Sequence, residues 1–111
     1  MDFRDVAAAL QGASISEHRI DLKLNSVELV VPASPRALAI VFEDLLSLKW
    51  SNTSATPTVL TLSTVGLEKL GPGEPWRLYI RTSDGAELEL SCRDVSCDGA
   101  AVTGVGRSYR H

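Results

Sequence analysis

The stretch WRLYIRTSDGAELELSC, Trp76 to Cys92, has an apolar residue at every second position on both sides of Ser83-Asp84-Gly85. Such alternation marks strands with one buried face, and a glycine-containing break between two of them marks a hairpin. Loop length decides the pairing. A two-residue Asp84-Gly85 loop sets Ile80 against Glu89 and mixes apolar with polar residues on each face, which a half-buried sheet does not tolerate. A three-residue loop, a type I turn followed by a left-handed Gly85, pairs Ile80 with Leu88, Leu78 with Leu90 and Trp76 with Cys92, keeping one face apolar. The other face then carries Arg81 beside Glu87 and Tyr79 beside Glu89. Exposed cross-strand pairs of this kind contribute about 0.2 to 1 kcal/mol each, so they favour a register more than they add stability.

Similar alternation recurs upstream. Ile20, Leu22 and Leu24 are followed, across Asn25-Ser26, by Val27, Leu29 and Val31 in shifted phase. A two-residue loop absorbs the shift and predicts Leu24 opposite Val27, Leu22 opposite Leu29 and Ile20 opposite Val31, with Lys23 facing Glu28 outside. Ala37 to Trp50 reads two ways. Ser34-Pro35 is a good helix start and Leu38, Val41, Phe42, Leu45 and Leu46 fall at helical spacing. The strand reading is favoured, because pairing Val31 with Leu38 and Leu29 with Ile40 extends the hairpin without burying a charge, with Asp44 as a bulge or bend. Residues 51 to 57 read as a polar loop, Thr58 to Val65 as a strand and Gly66 to Pro75 as a long Gly/Pro loop. Beyond Cys97, Asp98-Gly99 is expected to turn the chain into a last strand that Gly104 and Gly106 weaken.

One helix precedes all of this. Asp2 suits its N-cap, Asp5 favours its first turn, Phe3, Val6, Ala7 and Leu10 share a face, and Gly12 follows its end. At about ten residues it is marginal alone and needs a sheet to lie on. The expected fold of residues 1–111 is thus a single α+β domain, an N-terminal helix packed on a strongly twisted antiparallel β-meander of six or seven strands, with a curl toward a half-barrel left open.

Composition narrows the function classes. With 44% hydrophobic and 23% charged residues the chain is ordinary globular material. No apolar run approaches the roughly 18 to 20 residues of a membrane span, and the acidic N-terminus lacks the basic start of a secretory signal, so a cytoplasmic address is expected. A net charge of −3 argues against nucleic acid, whose binding draws on positive surface, and makes a basic partner the more natural one. Cys92 and Cys97 are too few for a zinc site and read as small buried hydrophobes, since a disulfide between them requires a turn at Arg93-Asp94.

No catalytic, metal or cofactor site is assigned. His18 has no positioning motif around it, GVGRS at 104 to 108 lacks the Gly-Lys-Ser/Thr of a phosphate loop, and Asp84, Glu87, Glu89, Asp94 and Asp98 lack calcium-loop spacing. Glu43-Asp44 reads as a surface acid pair, and the Asn52-Thr53-Ser54 sequon carries no weight without a secretory signal. Aromatic and arginine side chains anchor protein interfaces, which singles out Trp50, Trp76 at the exit of the Gly/Pro loop, and the hairpin's outer residues Arg77, Tyr79, Arg81, Glu87 and Glu89. The expectation is a non-enzymatic protein-binding domain, such as an immunity-type inhibitor or a complex subunit acting on one partner. The alternative is a small-ligand or lipid carrier with a pocket between helix and curved sheet; an enzyme without a readable signature comes third.

Overall fold

The Trp76–Cys92 hairpin forms in the register that its alternation predicts, with Ile80 opposite Leu88, Leu78 opposite Leu90 and Trp76 opposite Cys92. A computed structural model describes residues 1–33, 35–52 and 60–111 of the chain. The elements are α1 (Phe3–Leu10), β1 (Glu17–Asp21), β2 (Ser26–Val31), β3 (Leu38–Ser51), β4 (Leu62–Lys69), β5 (Trp76–Thr82), β6 (Glu87–Cys97), β7 (Ala100–Ala101) and β8 (Gly106–Arg110). Among the described residues the strands make one eight-stranded sheet in the order β1-β2-β3-β6-β5-β4-β8, with β7 paired to β6. Among the described residues every strand-to-strand pairing is antiparallel, and the sheet is not closed.

Four sequence expectations change. Among the described residues the strands number eight rather than six or seven, and they do not run as a simple meander. β3 pairs with β6 along its length, from Ile40 opposite Cys97 to Ser51 opposite Glu87, so the two longest strands adjoin and β4 must enter on the far side of β5. Second, the β1–β2 register is Ile20 opposite Val27 and His18 opposite Leu29, not Ile20 opposite Val31. Leu22 and Leu24 sit in the connecting loop, 83% and 70% exposed. The Asp21 carboxylate accepts from the Lys23 and Leu24 amides at 3.0 and 2.9 Å, a side-chain turn that competes with continued pairing.

Third, β4 runs on through Gly66-Leu67-Glu68-Lys69, which the sequence assigns to the long loop. A bulge between Leu62 and Thr64 shifts the apolar phase and hides the strand's continuation. Fourth, after the Asp98-Gly99 turn the chain pairs with β6 for Ala100–Ala101 only, then leaves to add β8 outside β4. The ambiguous segment resolves as strand: β3 pairs Leu29 with Ile40 and Val31 with Leu38 and kinks at Asp44, whose φ is +54°. Of the readings upstream and downstream of it, Ser34, Thr53 and Ser54 of the sequon, and the rest of 53–59, including Thr58 and Val59, lie outside the described residues.

The helix forms as its residues dictate. Asp2 caps it by accepting from the Arg4 amide at 2.8 Å, and Phe3, Val6, Ala7 and Leu10 are fully buried. Its main contacts are with β4 and β8, and Phe3 also packs on Trp76 of β5 with ring centroids 6.0 Å apart. The chain leaving it is pinned twice. Gly12 N donates to Leu62 O at 2.7 Å and Ile15 N to Leu60 O at 2.8 Å, after which Ser16 N donates to Val30 O at 3.1 Å. This short segment therefore spans from the start of β4 to β2. Cys92 and Cys97 are buried free thiols on one continuous strand. Five residues of strand separate their Cα atoms by roughly 16 Å, far beyond the reach of a disulfide. Burial, reinforced by Asp94, pushes the Cys92 thiol up to about 12, and burial with Asp98 raises that of Cys97, so neither is an activated nucleophile.

Candidate functional site

The outward-pointing residues of five adjoining strands fall into two cross-strand rows. One runs Ser47, Ser91, Arg77, Glu68, Arg107 across β3, β6, β5, β4 and β8. The next runs Lys49, Glu89, Tyr79, Gly66, Tyr109 over the same strands. Between them lies a shallow depression of about 730 Å³ lined by Arg77, Tyr79, Glu89, Glu68, Arg107 and Tyr109, among others. Arg81 and Glu87 are direct cross-strand neighbours just beyond it.

Gly66 makes the floor. A Cβ there would sit 3.0 Å from the Tyr109 ring and 3.7 Å from Tyr79 Cβ, so a strand position without a side chain lets an aromatic ring cover the backbone of its neighbour. The charges are partly matched. Arg107 Nε lies 3.1 Å from Glu68 Oε2, Tyr79 donates its hydroxyl to Glu87 Oε1 at 3.1 Å, and the Ser47 and Ser91 hydroxyls bond at 2.6 Å. Partial burial, followed by the bond to Glu87, raises the Tyr79 pKa and keeps its hydroxyl a donor. Among the described residues, Arg77, Arg81 and Glu89 close no ion pair, which leaves their charges available to an incoming surface.

The structure separates the seven residues selected from sequence. Arg77, Tyr79, Arg81, Glu87 and Glu89 share the outer face, as the hairpin register requires. Trp76 does not join them: it is 2% exposed, and its ring meets that of Phe3 at a tilt of 53°, with the Lys69 ammonium 5.2 Å from its centroid. It is a core residue, because its in-phase pairing with Cys92 turns it inward. Trp50 shares the core side of the sheet, in a row with Leu88 and Ile80. Sequence reasoning missed Glu68, Gly66, Arg107 and Tyr109. The signal for the first two was the Val65, Leu67 alternation across Gly66, masked by the bulge before it. Nothing local signals Arg107 and Tyr109, since their neighbours on β4 are some forty residues away in sequence.

The acids are not gathered. Asp84 lies in the β5–β6 turn, Glu87 and Glu89 on the outer face, Asp94 opposite Glu43, and Asp98 accepts from Ala39 N at 2.9 Å and pairs with Arg36. Among the described residues no group of three His, Cys, Asp or Glu could hold a metal ion, and no helix is long and apolar enough to cross a membrane. No protein-family model matches the chain, and no curated protein matches it.

Proposed function

We propose that this chain is a non-enzymatic protein-binding domain, of the immunity-inhibitor or complex-subunit kind, that recognises one partner through the outer face of β3, β6, β5, β4 and β8. One observation carries the reading. Two tyrosines and three arginines, Tyr79, Tyr109, Arg77, Arg81 and Arg107, stand on one solvent-facing sheet surface with Glu68, Glu87 and Glu89 between them. None of them belongs to the buried core. Tyrosine and arginine are the residue types that concentrate binding energy, since each brings large contact area with directional hydrogen bonds. Unmatched charges of both signs add specificity by rejecting partners that present the wrong pattern.

The local balance refines the partner. Although the whole chain is acidic, this face carries Lys49, Arg77, Arg81 and Arg107 against Glu68, Glu87 and Glu89. It therefore suits a partner surface of alternating charge rather than a uniformly basic one. The reading takes residues 1–111 as one domain, curled toward a half-barrel and working in the cytoplasm.

Photo-cross-linking tests it. A benzophenone amino acid at Tyr109 should trap a discrete partner in extract of the producing cells, whereas one at Leu24 should not. The double charge reversal Arg77→Glu with Glu89→Arg should weaken capture at least tenfold, a loss of about 1.4 kcal/mol or more, and shift stability by no more than about 0.5 kcal/mol. Capture that is unchanged by both reversals rules this face out.

A further inference from the structure

Among the described residues, the inner side of the sheet is filled at one end and open at the other. Where α1 lies on β4 and β8, Phe3, Val6 and Leu10 seal the interior completely. Toward the opposite end, a recess of about 410 Å³ is ringed by residues of β1, β2, β3, β5 and β6 and by the approach to β4. No residue of α1 lines it, so it is a different space from the pocket between helix and sheet that the sequence reading offered as an alternative.

Strand register aims Trp50, Leu88 and Ile80 into this recess as one cross-strand row, with Leu48 and Leu90 in the row behind. These are inward positions by phase. Yet Trp50 is 48% and Ile20 52% exposed, so large apolar side chains that face the interior are left unsealed. Among the described residues no Asp, Glu, Lys or Arg lines the space; the polar side chains there are His18, Asn52 and Thr82. Thr82 is already engaged, its hydroxyl accepting from Ala86 N at 3.0 Å and bonding the Asp84 carboxylate. A recess of this volume falls within the roughly 300 to 1,000 Å³ of small-molecule sites, which favour the mouths of curled sheets and apolar linings with few polar groups.

We propose that this recess is a binding site for an uncharged apolar small molecule bearing an alkyl chain or ring system, held by Trp50, Leu48, Leu88 and Ile20. It is independent of the outer-face reading, because the two sites use opposite sides of the sheet. The absence of charge from the lining sets the ligand class. A carboxylate or ammonium entering it would lose hydration without gaining a counter-ion, so a neutral head group is selected over a charged one of equal chain length.

The two tryptophans make the test direct. Trp76 is sealed and Trp50 is half open, so an occupant of the recess changes the emission of Trp50 alone. Full-length protein titrated with 1-decanol below its solubility limit should show a saturable blue shift and protection from acrylamide quenching. Both should vanish in Trp50→Phe. Decanoate at pH 8 should bind at least tenfold more weakly than the alcohol. Leu48→Glu, which puts a charge at the rim, should lower decanol affinity at least tenfold; Leu88→Trp, which fills the space, should do the same by calorimetry with circular dichroism reporting the fold. The proposal is overturned by an emission change that never saturates, by decanoate binding as tightly as decanol, or by decanol binding that survives in whichever of Leu48→Glu and Leu88→Trp folds.

Discussion

Two hairpins with similar alternation in sequence behave differently. In β5–β6 the three-residue Ser83–Gly85 loop places Gly85 at φ +92°, and the pairing that follows is the one the apolar pattern demands. In β1–β2 the alternation of Ile20, Leu22 and Leu24 runs past the end of the strand into a four-residue loop, 22–25. Ile20 faces Val27 instead of Val31, a slip by an even number of residues that keeps it on the same side of the sheet. Alternation thus specifies which residues share a face but leaves even-numbered slips open. Turn chemistry closes that freedom in the first hairpin, where glycine occupies a position that costs other residues strain. In the second, tertiary bonds close it. Asn25, at φ +54°, donates its side-chain amide to Leu45 O at 2.9 Å and accepts from Leu45 N at 3.1 Å, tying the loop to the kink of β3, while Ser16 is tied to Val30.

Substitution at matched leucines should break the apparent equivalence most sharply. Leu90→Ala, which hollows the core, is expected to cost about 2 to 5 kcal/mol in urea unfolding, whereas Leu24→Ala should stay within about 0.5 kcal/mol. Equal costs would mean that Leu24 is buried and the β1–β2 register misassigned.

Alkaline unfolding separates the hairpins next, because β6 carries the buried thiol of Cys92 inside the core. Unfolded, that thiol ionises near 9.0; folded, near about 12. Across this window the folded chain holds a proton that the unfolded chain has released, so stability is intact below pH 9 and falls as pH rises, by about 1.4 kcal/mol per unit. Cys92→Ala should be less stable at pH 7 yet show a flatter decline between pH 9 and 11. An unchanged slope would place the thiol in water.

The loops come third. Asp21→Ala removes two amide caps and Asn25→Ala removes the bond to Leu45 O while straining a left-handed residue; each should cost about 1 to 2 kcal/mol. Gly85→Ala meets no atom within 4 Å and should cost about 1 kcal/mol through backbone strain alone. The smallest effect is on the outer face, where a double-mutant cycle on Arg81 and Glu87 should give a coupling of about 0.2 to 1 kcal/mol that shrinks in salt. A larger coupling would recast this pair as part of the structure rather than surface free to meet a partner.

Legibility of the candidate sites follows the same division. Arg77, Tyr79, Arg81, Glu87 and Glu89 were legible because one local hairpin carries them. Glu68 and Gly66 were obscured by a bulge, and Arg107 and Tyr109 became neighbours of Tyr79 only when β8 crossed to β4. Trp76 and Trp50 were singled out together, yet one caps Phe3 in the sealed interior and the other borders a recess. Both were read from sequence as interface candidates, and the strand pairing turns both inward. Sequence phase carried no information on which end of the inner side the helix would cover.

What the chain's own order of residues determined is local: the helix with its Asp2 cap, the faces of β5 and β6, and the turn at Ser83–Gly85. Each depends on contacts between residues close in sequence, where periodicity and backbone preference act directly. Only the tertiary structure decided that β3 adjoins β6, that β8 completes the outer face, and that the interior is sealed at one end and hollow at the other. Those outcomes depend on pairings between distant segments, which bury apolar surface equally well in several registers until side-chain turns, bulges and the pinned chain after α1 select one.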